Sequence, residues 1–551
     1  RAWLDLIKLN PKRSVRLLSA LVIHLSLSGV LIRDIDLFPR DVTALLNAPI
    51  GPVYNLVKQL CRLLPVFYND IGAEGRLRDV STRLDELSQR RDLLVHFLRK
   101  QSHVESSNQI ISFAEAVFQF WKTRDKSLLE KHLPPAIFEK IDSRGIHVDG
   151  MHHILQGFVR KGMRIPDDFL TLNPEGIRPL LGYVPKASDV DMERAALAIE
   201  FYKLLCQKYN FSFADVAHYL SQIRPEGLPE LGRLEAALAE ENPKRRLELL
   251  LDYLEILKGT ITAATVFEIH EDIYQKRHIT IDIPSMYGSY HEMKFDCLGL
   301  SLRVEALVNV LFENLVHDID LGLITKATFF QVFDVLKLFG RALRLDGMAS
   351  AEFERQLEFL GDSLRIRGFT LTQYVDIFKG FVQAVQNVIN DCFHNVHGAN
   401  LNRVLAQLPE EALQPKYLPP EAVDDRERLQ HRASEIFFRD QIAVSLGLQQ
   451  LDLFLGRILS TLFQQAERLS RENMHQLLLY DPHFAMVDID RLARPAPGVI
   501  LLGTKGANLV RLSALGFRVP PGFIITTEVF RCRQVIDTYP PAQRHFTDQI
   551  N

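Results

Sequence analysis

The sequence predicts a mainly α protein: a large multi-helix N-terminal region, followed near the C-terminus by the beginning of an α+β domain. Three observations predict it. Apolar residues recur at spacings of three and four through most of the chain, the period of one helix face. Alternation takes over around 279–283, and a solid apolar run at Val499-Ile500-Leu501-Leu502 reads as a short strand. Prolines gather at 134–135, 409–420 and 482–497, where they punctuate rather than interrupt the periodic segments.

A chain of 551 residues exceeds one ordinary core, and several domains are expected. The 47% hydrophobic and 24% charged residues argue against extensive disorder. The 65 basic and 68 acidic side chains leave a formal net charge of -3, so no global field recommends nucleic acid or an acidic membrane as partner. Five cysteines, Cys61, Cys206, Cys297, Cys392 and Cys532, show no Cys-x-x-Cys spacing and read as reduced core residues of a cytoplasmic protein. Leu17 to Ile32 is shorter than a bilayer span and contains His24 and serines, so a buried helix is expected there. No signal peptide is visible. The chain opens on Arg1 and reads as part of a longer protein.

Residues 1–135 read as a first helical subdomain. Thr82 to Gln101 is predicted as one helix, with Leu84, Leu87, Leu93, Leu94, Phe97 and Leu98 on its apolar face. The basic residues Lys8, Lys12, Arg13, Arg16, Arg90 and Arg91 read as solvated helix faces, since no interleaved aromatics accompany them. Residues 136–262 form a second helical subdomain, with Met192–Tyr209 and Arg233–Leu257 as its strongest helices and Ser212 as an N-cap. The adjacent His152 and His153 point to different faces, poor geometry for one metal.

A third helical subdomain, 263–407, contains a strand and loop insertion at 279–296. Ile279, Ile281 and Ile283 alternate, and Pro284 and Gly288 mark a turn. Tyr287, Tyr290, His291, Glu292, Lys294 and Asp296 then crowd into ten residues, which makes Tyr287, Tyr290, His291 and Glu292 a candidate binding loop. The plain alternative is a structural turn anchored by its tyrosines. His270-Glu271 and His291-Glu292 lack the second histidine of a zinc-protease helix, and His394 with His397 has helical spacing but no carboxylate pair. No metal site is therefore expected. Long helices fill 408–480: Arg426 to Leu479 is broken only by Gly447 and Gly456 and reads as one or two helices, packed internally or used to form a homo-oligomer. Residues 481–497 are a linker.

The last segment, 498–551, carries the chemistry. Gly503-Thr504-Lys505-Gly506-Ala507-Asn508-Leu509 places a lysine in a glycine-flanked turn at the start of a helix that Gly516 ends, where free amides and the helix dipole receive phosphate oxygens. It is not a Walker motif, because the lysine precedes the second glycine and no Ser or Thr follows it. Together with Leu515-Gly516-Phe517-Arg518-Val519-Pro520-Pro521-Gly522-Phe523-Ile524-Ile525-Thr526-Thr527-Glu528, the run resembles the start of the ATP-grasp-like nucleotide-binding domain of phosphoenolpyruvate synthases and pyruvate phosphate dikinases. The resemblance covers about the last tenth of the chain. It implies that Lys505 contacts ATP phosphate, with Gly503, Gly506 and Asn508 in the same nucleotide-binding motif. Thr504 departs from the family's usual glycine. The resemblance further implies Mg2+, held by ligands beyond this chain, a phosphohistidine domain absent from it, and pyruvate, phosphoenolpyruvate or another phosphate acceptor. The rival expectation is a non-catalytic helical scaffold or regulatory protein with a vestigial or sensory nucleotide segment.

Overall fold

The computed structural model describes residues 2–550 except 29–37, 105–108, 165, 173–178, 181, 183, 210–227, 275–276, 279–282, 285–287, 367–368, 414–416, 418–425, 481–483 and 490–497. The described chain is mainly helical, and its strands make three two-stranded antiparallel ladders. It divides into two compact units, each assembled from separated segments.

The first unit comprises Arg1–Leu231, Ile256–Val310 and Val396–Val444. Its spine is the 34-residue helix Tyr54–Leu87, which packs against Asp189–Tyr209 and Val15–Ser28. Val80, Leu84, Val117, Trp121, Phe158 and Tyr202 meet in a large apolar cluster. Phe118 sits edge-on to both Trp121 and Tyr202, at 5.8 and 5.7 Å between ring centres, the aromatic geometry that favours a fixed core.

The helix expected over Thr82–Gln101 is two helices. Tyr54–Leu87 ends, Gln89 and Arg90 take φ of 51° and 60°, and Leu93–Val104 begins. Local polar groups make the break: the Ser88 hydroxyl donates to the Asp85 carbonyl, and Asp92 Oδ1 accepts the amides of Leu94 and Val95. An aspartate that caps the next helix outweighs a continuous apolar stripe. The expected Met192–Tyr209 helix is present, extended to Asp189. Ser212 lies outside the described residues.

Charge is also buried in this unit. Lys58, 1% exposed on the spine helix, donates to both Glu305 carboxylate oxygens at 3.0 Å, and Arg62 and the Ser301 hydroxyl share the same carboxylate. A carboxylate taken from water keeps its charge only when its lone pairs are this fully met.

The second unit comprises Gly232–Glu255, Leu311–Asn395 and Ser445–Asn551. Here the expected Arg233–Leu257 helix splits into Leu231–Ala239 and Pro243–Thr262, because Pro243 is at home in a first turn and not in an interior. Lys326–Leu345 and Leu371–Ile389 start at capping boxes, Thr325 with Thr328 and Thr370 with Gln373. Leu448–Arg468 packs on Leu371–Ile389. The segment Arg426–Leu479 holds three helices rather than one or two: Arg426–Ala443, which belongs to the first unit, and Leu448–Arg468 and Arg471–Leu479, which belong to the second. Gly447, at φ 71°, and the Ser470 side chain, which accepts the Asn473 amide, set the second and third starts. At the C-terminal end, Met486–Asp488 pairs with Phe523–Ile525, and Val499–Ala514 and Thr527–Thr538 pack on each other. No single helix among the described residues is long and apolar enough to cross a membrane.

Candidate functional site

Val499–Leu502 is a helical turn and not the expected strand. Gly498 caps it, its carbonyl accepting the amides of Leu501 and Leu502 at 3.0 and 3.2 Å. A local hydrogen-bonded turn satisfies this backbone, whereas a strand needs a neighbour, and the ladder beside it is already made by Met486–Asp488 and Phe523–Ile525. Gly503 then leaves helical geometry at φ 67°, ψ 167°. The break interrupts the amide ladder, so Thr504, Lys505 and Gly506 open a second run of helix whose first amides lack carbonyls in line. A Cβ at Gly503 would meet no atom within 4 Å, so the backbone angle alone calls for glycine.

Gly506 faces inward. A Cβ there would lie 3.1 Å from Ile524 Cδ1, and the helix seats against the ladder through Val487, Leu502, Val510 and Ile524. Lys505 and Asn508, three residues apart, share the outer side and are both exposed. Lys505 makes no ion pair among the described residues. The Thr527 hydroxyl donates to the Ile500 carbonyl at 2.8 Å, fixing the first turn to the next helix. Thus Gly503 supplies the turn, Gly506 the packing, and Lys505 a cation free to meet an anion. Around them Val499, Ile500, Phe523 and Phe530 leave an apolar surface, with Ile500 88% and Phe530 71% exposed.

The candidate loop behaves differently. Tyr287 and Ile279 to Asp282 lie outside the described residues. Tyr290 and Glu292 are turned inward: Tyr290 stands edge-on to Phe295 at 5.8 Å, and Glu292 Oε2 accepts the Phe295 amide at 3.0 Å, which caps helix Met293–His317. Burial raises the Glu292 pKa against the bonds from the Phe295 and Lys294 amides, raises that of Tyr290, and lowers that of Lys294. Lys294 donates to the carbonyls of Ala263, 2.7 Å, and Leu46, 3.3 Å. His291, half-buried, lies 3.0 Å from the Ser289 hydroxyl through Nε2 and 3.5 Å from Asp296 through Nδ1. This row has the order of a nucleophilic triad, yet Ser289 is 1% exposed and offers no oxygen to a substrate. The anchored structural turn accounts for Tyr290 and Glu292.

The histidine pairs divide as well. His397 is fully buried, its ring nitrogens 3.1 Å from the Ser19 hydroxyl and 3.0 Å from Gln59 Oε1, while His394 is exposed at the end of the π-turn Asn390–His394. One extra residue per turn removes the shared face their spacing suggests. His152 spends Nδ1 on the Trp121 carbonyl at 3.0 Å. Among the described residues no three metal-ligating side chains come together. Compared with known proteins, the chain matches no family model, no curated protein and no solved structure.

Proposed function

We propose that residues 498–551 begin an ATP-grasp-like nucleotide-binding domain of the phosphoenolpyruvate synthase and pyruvate phosphate dikinase kind, and that the chain is the N-terminal part of such a phosphotransferase. The observation that carries this reading is the left-handed Gly503, which restarts the helix directly ahead of the exposed Lys505. Amides at a helix start and a mobile ammonium together suit a polyphosphate, whose charge they offset while it is held in place. ATP is the nucleotide, with Mg2+ bridging its phosphates, and a phosphohistidine relay carries phosphate to pyruvate or another acceptor.

Equilibrium binding of ATP to the full-length protein tests it. A charge-assisted contact contributes about 1.5–3 kcal/mol, so Lys505→Ala weakens binding by roughly ten- to a hundredfold. Tight binding that ignores the substitution takes Lys505 out of the site. Transfer of labelled phosphate from ATP to a histidine separates an enzyme from a sensor. The second reading, a scaffold with a vestigial nucleotide segment, draws on the exposed Ile500, Phe517 and Phe530, side chains suited to meeting another polypeptide. Absence of ATP binding decides for it.

A further inference from the structure

A cleft of about 560 Å³ lies in the first unit between the start of helix Asp189–Tyr209, the start of helix Asp149–Arg160 and the end of helix Tyr54–Leu87. The two starts approach closely because residue 150 is glycine. A Cβ there would fall 2.1–2.6 Å from the Asp191 carboxylate. The wall carries both signs of charge, but the acids are already engaged. Asp149 accepts from Arg124 at 2.6 Å and from the Gly145 amide at 3.0 Å. Asp191 accepts from the Ser188 amide and hydroxyl at 2.9 and 2.7 Å, and its other oxygen is 3.6 Å from Arg194.

The basic side chains keep donors in reserve. Lys186 is exposed and makes no ion pair among the described residues. The His147 ring accepts or donates no hydrogen bond among them. Arg194, with only 3% of its side chain exposed, uses one nitrogen on Asp92 at 2.6 Å and another on the His147 carbonyl at 3.2 Å, while its Nε, itself buried, has no partner among the described residues. Lys186 is also held at φ 67°, a conformation that costs a residue with a Cβ about 1–2 kcal/mol and is found more often where a side chain has work to do than on a plain surface. The neighbouring His153 is kept below the ordinary imidazole pKa first by desolvation and then by His152, Lys186 and Arg124, with Asp149 acting in the opposite direction. Leu87, Ile146 and Val190 supply apolar wall beside them.

We propose that this cleft binds a small organic oxyanion, with its charged head on Lys186, His147 and Arg194 and its apolar body against Leu87, Ile146 and Val190. The site goes beyond the nucleotide reading and does not depend on it. A pocket that joins apolar wall to a few spare donors is the usual form of a metabolite site. The head is a phosphate or a carboxylate, and the two are separated by probing with phenyl phosphate and with 3-phenylpropionate, using benzyl alcohol as the uncharged control.

Calorimetric titration of the whole chain is the test. At least one charged probe binds and benzyl alcohol does not. Lys186→Gly removes the charge while suiting the left-handed backbone, so the variant melts no lower than the parent, yet its affinity falls by about tenfold or more. Lys186→Arg keeps the charge and stays within about threefold of the parent. Ile146→Asp, at a residue 83% exposed, places a negative charge on the rim and abolishes binding without disturbing the core. The proposal is overturned if neither charged probe binds, if benzyl alcohol binds as well as they do, or if Lys186→Gly or Ile146→Asp leaves the affinity unchanged.

Discussion

At the scale of single residues, the side chains that set this protein's chemistry are those whose burial or backbone conflicts with their type. His397 is the clearest. Desolvation lowers its pKa to about 4, since Ser19 and Gln59 meet the neutral ring without an opposite charge. In the unfolded chain the same ring titrates near 6.5. The unfolded state therefore binds the extra proton between those values, and stability from this residue is complete above about pH 6.5 and lost as pH falls toward 4. Urea unfolding between pH 7 and 5 should show a loss approaching about 1.4 kcal/mol per pH unit at the acid end from this group. His397→Gln, which keeps an amide for the two partners, should flatten that part of the slope. An unchanged slope in the variant assigns the acid sensitivity elsewhere. None of this was visible in the sequence, where His397 stood as half of an i,i+3 pair: the partners that decide its role, Ser19 and Gln59, come from distant helices.

At the scale of elements, helix content was legible because the apolar period of 3.6 is written locally, and helix ends were not, because caps and tertiary partners compete with that period. Thr82–Gln101 reads as one helix, yet Asp92 divides it; Arg426–Leu479 reads as one or two with Gly447 as a breaker, and the further start at Ser470 makes three. Of the two glycines read as flanking a turn at Lys505, Gly503 makes the break and Gly506 lies within the helix, and the strand read just before them is a helical turn, an ambiguity inherent in a four-residue apolar run. The cleft at Lys186 escaped because its walls come from three stretches far apart in the chain, and only Ser188-x-x-Asp191, a capping-box spacing, gave a local sign of it. Two glycines of the second unit separate the causes of a helix break. Gly447 has φ 71°, and a Cβ there would lie 3.2 Å from the Phe312 and Phe339 rings, themselves stacked at 4.2 Å. Gly456 sits exposed inside helix Leu448–Arg468 with open space around it. Gly447→Ala should cost about 1–3 kcal/mol, and Gly456→Ala should gain about 0.5–1 kcal/mol, read as opposite shifts of the urea midpoint at constant m-value. Shifts of the same sign would mean that propensity, not backbone geometry, governs both positions.

At the scale of the whole chain, five reduced cysteines act as internal reporters of how tightly each unit is closed. Burial pushes the Cys61 thiol up to about 12 and those of Cys392 and Cys532 up to about 11; the Cys297 thiol is raised first by burial and then by Asp296 and Glu292. A thiolate is the reactive form, so at pH 8 these four are slow because they are protonated, and Cys61, Cys297 and Cys532 also because they are covered. Cys61 and Cys297 belong to the first unit, Cys392 and Cys532 to the second. Labelling with a disulfide reagent should therefore proceed at the rate of local opening, with all five thiols released at once in guanidinium. Peptide mapping of partly labelled protein gives the opening of each unit separately. Cys532 lies on helix Thr527–Thr538, against Tyr480, Ala485 and Ile536, in a small cluster beside the Lys505 module. A small cluster offers less apolar burial to hold it closed than the packing of the spine helix Tyr54–Leu87, which carries Cys61 and lies against two long helices, so Cys532 should label ahead of Cys61. If ATP occupies the Lys505 turn, its binding energy is added to the closed form and the Cys532 rate falls while that of Cys61 does not. Equal protection of both cysteines, or of neither, would separate nucleotide binding from the Lys505 module.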